Sequence, residues 1–119
     1  RDRDKLLPLA RLMRSAYSNG HHVIICTARV LSVHDYRYLA NHNLRSDYIL
    51  SRALGDNRGD AEMKRDLLIN YFASKNVPLA RWTRNAVFYD DNQAVLAMAQ
   101  DLGITAKNAI QINASMGAK

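Results

Sequence analysis

Short β-branched runs alternating with amphipathic stripes constrain this chain more than any other feature. His22-Val23-Ile24-Ile25-Cys26 is a continuous apolar run of the kind carried by a strand covered on both faces. Ala86-Val87-Phe88-Tyr89 repeats the signal and Asp47-Tyr48-Ile49-Leu50 gives a shorter version. Asn108-Ala109-Ile110-Gln111-Ile112 predicts a last strand. Between these runs apolar residues recur at helical spacing: Leu6, Leu9, Met13 and Tyr17; Val33, Tyr36 and Leu39; Met63, Leu67, Leu68, Tyr71 and Phe72; Ala94, Val95, Met98 and Leu102. Asn19-Gly20 and Gly103 supply left-handed stops. Ser32 with Asp35 three residues on is a capping-box start, and Asp60 can cap the helix that follows it.

The order αβαβαβαβ predicts an α/β fold with a Rossmann-like parallel sheet and helices on both faces. At 119 residues the chain is one domain, read as a core over 1–112 and a tail over 113–119. In such sheets ligands sit beyond the carboxyl ends of the strands. The polar residues at those ends are Thr27 and Arg29, the loop from Arg52 to Asp60, and Asp90-Asp91-Asn92.

Composition narrows the partners. Seventeen Lys and Arg against eleven Asp and Glu leave a formal charge of +6, which attracts polyanions such as nucleotides or nucleic acid. No apolar run approaches the ~20 residues that span a bilayer. Single Cys26 excludes an intramolecular disulfide framework and points to a reducing, cytoplasmic setting; within its apolar run it reads as an inert core thiol. His21, His22, His34 and His42 make no metal-ligand spacing with it. Nucleophile elbow, P-loop and glycine-rich dinucleotide turn are all missing. Trp82, in the connection after Pro78, is read as packing in preference to base stacking.

Each strand-end residue has an ordinary reading beside its chemical one. Adjacent Asp90 and Asp91 repel each other unless a cation is near, and Mg²⁺ takes one or two carboxylates plus waters and phosphate oxygens. Equally, one of the pair can cap the next helix. Thr27 offers a hydroxyl and Arg29 a planar fork, both suited to phosphate, though a strand-end Thr alone is usually a turn residue. Lys64, Arg52 and Arg58 alone would pass as surface charges.

Taken in order, Ile25-Cys26-Thr27-Ala28-Arg29, then Lys64, then Phe88-Tyr89-Asp90-Asp91-Asn92 resembles motifs two, three and four of the haloacid dehalogenase (HAD) superfamily of phosphohydrolases. Arg52-Ala53-Leu54-Gly55-Asp56-Asn57-Arg58-Gly59-Asp60 followed by Lys64 is similar to a segment of the phosphatase domain of phage-type polynucleotide kinase/3′-phosphatase. The resemblance runs from about Leu6 to Ile112. It implies Mg²⁺-dependent phosphomonoester hydrolysis through an aspartyl-phosphate, most directly at polynucleotide 3′-phosphates. Thr27 and Lys64 would be catalytic, Asp91 the direct metal ligand and Asp90 its orienting neighbour. Arg29, Arg52 and Arg58 would gather phosphates or the nucleic-acid backbone. The same resemblance allows a 5′-nucleotidase-like enzyme on free nucleotides, or a non-catalytic binding protein that keeps the fold.

One family element is not found. The Asp-x-Asp of the first strand, which supplies nucleophile and general acid, should precede the first helix. Asp2 and Asp4 have the spacing but no apolar strand before them. The expectation is therefore a sheet lacking its central strand between the strands ending at Thr27 and Asp90, in a fragment of a longer protein.

Overall fold

A computed structural model describes residues 11–109. Residues 11–18 form the described part of a helix, α1, which closes as the sequence predicts. Gly20 takes φ +84°, Gly20 N–H donates to Tyr17 and His21 N–H to Ala16, the paired bonds of a left-handed stop. Strand β1 (Ile24–Thr27) follows, then α2 (Val33–Asn41) and β2 (Tyr48–Ser51). After them come α3 (Asp60–Ser74), α4 (Leu79–Arg84), β3 (Val87–Asp90), α5 (Gln93–Leu102) and β4 (Thr105–Asn108).

The strands make two parallel pairs. β1 lies on β2 with Ile24 opposite Tyr48 and Thr27 opposite Ser51. β3 lies on β4 with Val87 opposite Thr105 and Asp90 opposite Asn108. Among the described residues β1 pairs only with β2, and β3 only with β4. The parallel sheet, expected to lack a strand between those ending at Thr27 and Asp90, is present as two small sheets, each a β-α-β unit whose crossover helix is α2 or α5.

One core serves both pairs. Leu68 and Tyr71 of α3, Trp82 of α4, Val95, Met98 and Ala99 of α5, Ile104 and Leu50 form the buried cluster. Ile24 and Cys26 from β1 pack against it from one side, Phe88 and Ala106 from β3 and β4 from the other. α3 touches α5, α4, β1 and β2, which makes it the central helix of the described residues. No helix among them is long and apolar enough to cross a membrane.

Three elements differ from the sequence expectation. The last strand is Thr105–Asn108, and residues 110–112 lie outside the described residues, as does the tail 113–119. Gly103 at φ +93° stops α5, Ile104 drops into the core, and pairing with β3 starts at once. Helix α4 was unforeseen because six residues are too few to show a helical stripe; Pro78 caps it with φ −62°. Its Trp82 stacks on Phe72 at 4.2 Å between centroids, so the indole is a core group. Gly59, not Asp60, caps α3, and the Asp60 carboxylate turns to Arg52.

Lys64 is the notable member of α3. A lysine is rarely buried without a partner. Here Nζ donates to Asp90 Oδ2 at 2.7 Å, with the two side chains only 8% and 9% exposed. This ion pair spans from the central helix to the end of β3. Cys26 in β1 lies close enough to feel both charges: burial pushes its thiol up to about 11, Lys64 pulls it down and Asp90 adds to the rise. Lys64 thus ties α3, which also packs against β1, to the carboxyl end of β3.

Three outcomes follow from this packing. Trp82→Ala should lower stability by about 3–5 kcal/mol in urea titration, the range for truncating a buried aromatic. Asp90→Leu, which strands a buried ammonium, should destabilise by about 3–5 kcal/mol, and Lys64→Met added to it should recover much of that loss. Cys26 should react with iodoacetamide at pH 8 at least about a hundredfold more slowly in the folded protein than in urea, because thiolate is the reactive form. The raised thiol also fixes a sign: its contribution to stability is complete below its ordinary 9.0 and is lost as pH climbs towards 11.

Candidate active site

The site is built where strands end and helices begin. Thr27 closes β1, and its Oγ1 accepts the Arg29 N–H at 3.1 Å, which turns the chain sharply out of the strand. Arg29 reaches outward, its side chain 70% exposed, with Nη2 2.9 Å from Asp35 Oδ1. Its carbonyl accepts the Arg52 N–H at 3.1 Å, so the turn after β1 and the loop after β2 are joined through backbone.

Arg52 organises that loop. Nε donates to Ala28 O at 2.7 Å, Nη1 to Asp56 O at 2.8 Å and Arg58 O at 2.7 Å, and Nη2 to Asp60 Oδ1 at 2.7 Å. The guanidinium is only 16% exposed. Gathering phosphate with Arg52 would require exchanging bonds that fold the loop. Arg58 is similarly engaged: its Nη2 lies 2.9 Å from Asp56 Oδ2, and Nη1 donates to Asp66 Oδ2. The Arg58 side chain holds the Asp56 carboxyl down at about 2. Of the three arginines marked in the sequence, Arg29 presents the most open guanidinium.

At the other strand end Asp90 is fully committed. Oδ2 takes the Lys64 ammonium, and Oδ1 accepts the Asn92 N–H at 2.9 Å. Asn92 in turn caps α5, its Oδ1 accepting from Ala94 and Val95. Asp91, between the two, is exposed. The adjacent carboxylates thus differ in environment: one is a buried counter-ion and the other faces water.

The donor set bears on the metal expectation. Among the described residues no group of three or more His, Cys, Asp or Glu side chains could hold an ion. Magnesium does not demand such a cage, since it keeps waters and takes one or two carboxylates. Asp91 fits that lesser requirement, whereas Asp90 would have to share oxygens already bonded.

Three site residues are legible in the sequence only in part, and a fourth is not legible. Asp35 caps α2 as the sequence predicts and also holds Arg29, whereas Asp60 holds Arg52 in place of the predicted cap; the signal is an acid six or eight residues after Arg29 or Arg52, which means little before the turns are known. Asn92 was placed at the strand end without its capping role. Asp66 gave no signal at all.

Comparison with known proteins bears on the family. The 5′-deoxynucleotidase of Escherichia phage T5 is 29% identical over 133 residues, an alignment that takes in 92% of this chain and 50% of that protein. The chain therefore spans half the length of that relative. A chain from the Pnkp1/Rnl/Hen1 RNA repair complex superposes with a TM-score of 0.70 at 23% identity, over 85% of this chain and 31% of that one, which is a likeness of fold. The model of the bacteriophage T5 5′-deoxynucleotidase family matches residues 2–118. With nearly its whole length matched, and the strand-end residues in the order of a HAD-like phosphatase, the chain belongs to the bacteriophage T5 5′-deoxynucleotidase family.

Proposed function

We propose that this chain forms the phosphate-gripping part of a HAD-type, Mg²⁺-dependent phosphomonoesterase that removes the 5′-phosphate of deoxynucleotides. The Lys64–Asp90 contact at the end of β3, made from a helix that also packs against β1, carries the reading. The family's name and the relative in phage T5 supply the substrate class.

The roles follow from what each side chain has to spare. An ammonium has three donors, and Asp90 takes one, so Lys64 keeps two for phosphoryl oxygens while its aim stays fixed. The Thr27 hydroxyl accepts from Arg29 N–H and can still donate its own proton to a phosphoryl oxygen. Both groups would strengthen their hold as negative charge develops on the transferred phosphoryl group. Arg29 would meet a further oxygen from the solvent side. Asp91 would hold the magnesium ion, which supplies charge neutralisation at the phosphate when bound. By the superfamily pattern the attacking and protonating Asp-x-Asp carboxylates belong on a strand between β1 and β3, outside the described residues.

The polynucleotide 3′-phosphate reading stands as the second possibility, favoured by the +6 formal charge. Full-length protein with Mg²⁺ should release phosphate from deoxynucleoside 5′-monophosphates faster than from 3′-phosphorylated oligonucleotides, and EDTA should abolish the reaction. Lys64→Met and Asp91→Asn should each lower kcat by about 10²–10³-fold, the loss typical when one transition-state contact is removed. Preference for the oligonucleotide, with steep salt dependence, would transfer the assignment to nucleic-acid ends. No release from either, with wild type matching Asp91→Asn, leaves a binding protein and refutes the enzyme.

A further inference from the structure

Arg29 combines exposure with restraint. Its guanidinium is the most open of the three arginines at the strand ends, yet the residue is held from three directions. Its N–H is on Thr27 Oγ1 at 3.1 Å, its carbonyl accepts from Arg52 N–H at 3.1 Å, and Nη2 lies 2.9 Å from Asp35 Oδ1. Asp35 is itself immobilised. Oδ2 accepts from Ser32 N–H at 2.9 Å and from Ser32 Oγ at 3.2 Å, and the side chain is 20% exposed.

The capping box accounts for one of the two carboxylate oxygens. A helix cap needs only Oδ2; Oδ1 is left over, and it is the atom that faces the arginine. A long exposed side chain on a fixed carboxylate loses the rotamer freedom that phosphate binding would otherwise have to remove. The guanidinium has five donors in one plane, so one contact to Asp35 leaves an edge for a bidentate phosphate contact.

We infer that Asp35 is a positioning residue for phosphate: Oδ1 holds the Arg29 guanidinium beside Thr27, ready for a phosphate oxygen. The inference rests on the phosphate-binding reading of Arg29 given above. It opposes what charge alone predicts. A carboxylate near an anion site should repel the ligand, so neutralising Asp35 should tighten binding; if Asp35 acts through Arg29, neutralising it weakens binding.

The test titrates inorganic phosphate into full-length protein by calorimetry, with nucleotide hydrolysis followed in parallel. Asp35→Asn should weaken phosphate binding about fivefold, in line with the loss of one preorganised side chain. KM for nucleotide should rise by a similar factor while kcat stays within about twofold, since uniform binding has been lost. Asp35→Glu, which keeps an acid of the usual capping-box type, should restore both values. In an Arg29→Gln background Asp35→Asn should add nothing, the non-additivity of residues acting as one unit. Circular dichroism on each variant reports whether α2 persists. Unchanged or tighter phosphate binding in Asp35→Asn, additive losses in the double variant, or a wild type that does not bind phosphate would each overturn the inference. A wild type that binds phosphate with this coupling but hydrolyses no nucleotide would remove the proposed enzyme and leave the positioning role standing.

Discussion

The Lys64–Asp90 ion pair is the constraint on which the arrangement depends. Isolated, either charge in so enclosed a place would be strongly destabilising; together, with Asn92 N–H on the second carboxylate oxygen, they are satisfied. The pair does something a hydrophobic substitute would not. It fixes where α3, which also packs against β1, stands against the end of β3. A buried pair adds little net stability compared with well-packed apolar groups, which makes a positional role the better explanation for its presence.

Around that pair, charge is distributed by a simple division. Arg52 and Arg58 are largely consumed within their own loop, on backbone carbonyls and on Asp56, Asp60 and Asp66. They convert a glycine-bearing, turn-rich segment into a braced one, and Ala28 O on Arg52 Nε ties that segment to the exit of β1. Asp90 is consumed by Lys64. The arginine most open to water is Arg29, 70% exposed on its contact to Asp35 at one strand end, and Asp91 is exposed at the other. A basic sequence therefore does not mean a basic site. Much of its arginine charge near the strand ends is neutralised locally, and the open groups there are of opposite sign.

Much of this was legible in the residues before any coordinates. The β-branched runs at 22–26 and 86–89 became β1 and β3, and the capping box at Ser32 with Asp35 formed as written. Gly20 and Gly103 both occupy the left-handed region that ends a helix. Boundaries moved where tertiary pairing overrode local preference. The apolar pattern of Ile110 and Ile112 drew the last strand downstream, while the register opposite Val87 begins at Thr105. For the site, Lys64 and Asp90, 26 residues apart in the sequence, are in direct contact. Illegible were the arginine partners. A charge in sequence announces its sign, but whether it faces solvent or braces a loop depends on turns that no spacing rule fixes.

That distinction also bears on which phosphate such a site would suit. An end-on phosphomonoester presents three terminal oxygens in a compact group. The three groups proposed to meet it, Lys64, Thr27 and Arg29, would supply one for each oxygen without help from Arg52 or Arg58. A polynucleotide would need further cations spaced along a backbone, and the arginines nearest at hand are already bonded to their own loop. On the proposed function, such a distribution would suit a small, highly charged terminus better than an extended strand. It is the same direction in which membership of a deoxynucleotidase family leads. The physical reason is local: cations spent on holding a loop rigid improve the placement of the few left open, and placement matters more than total charge when one phosphate must be gripped.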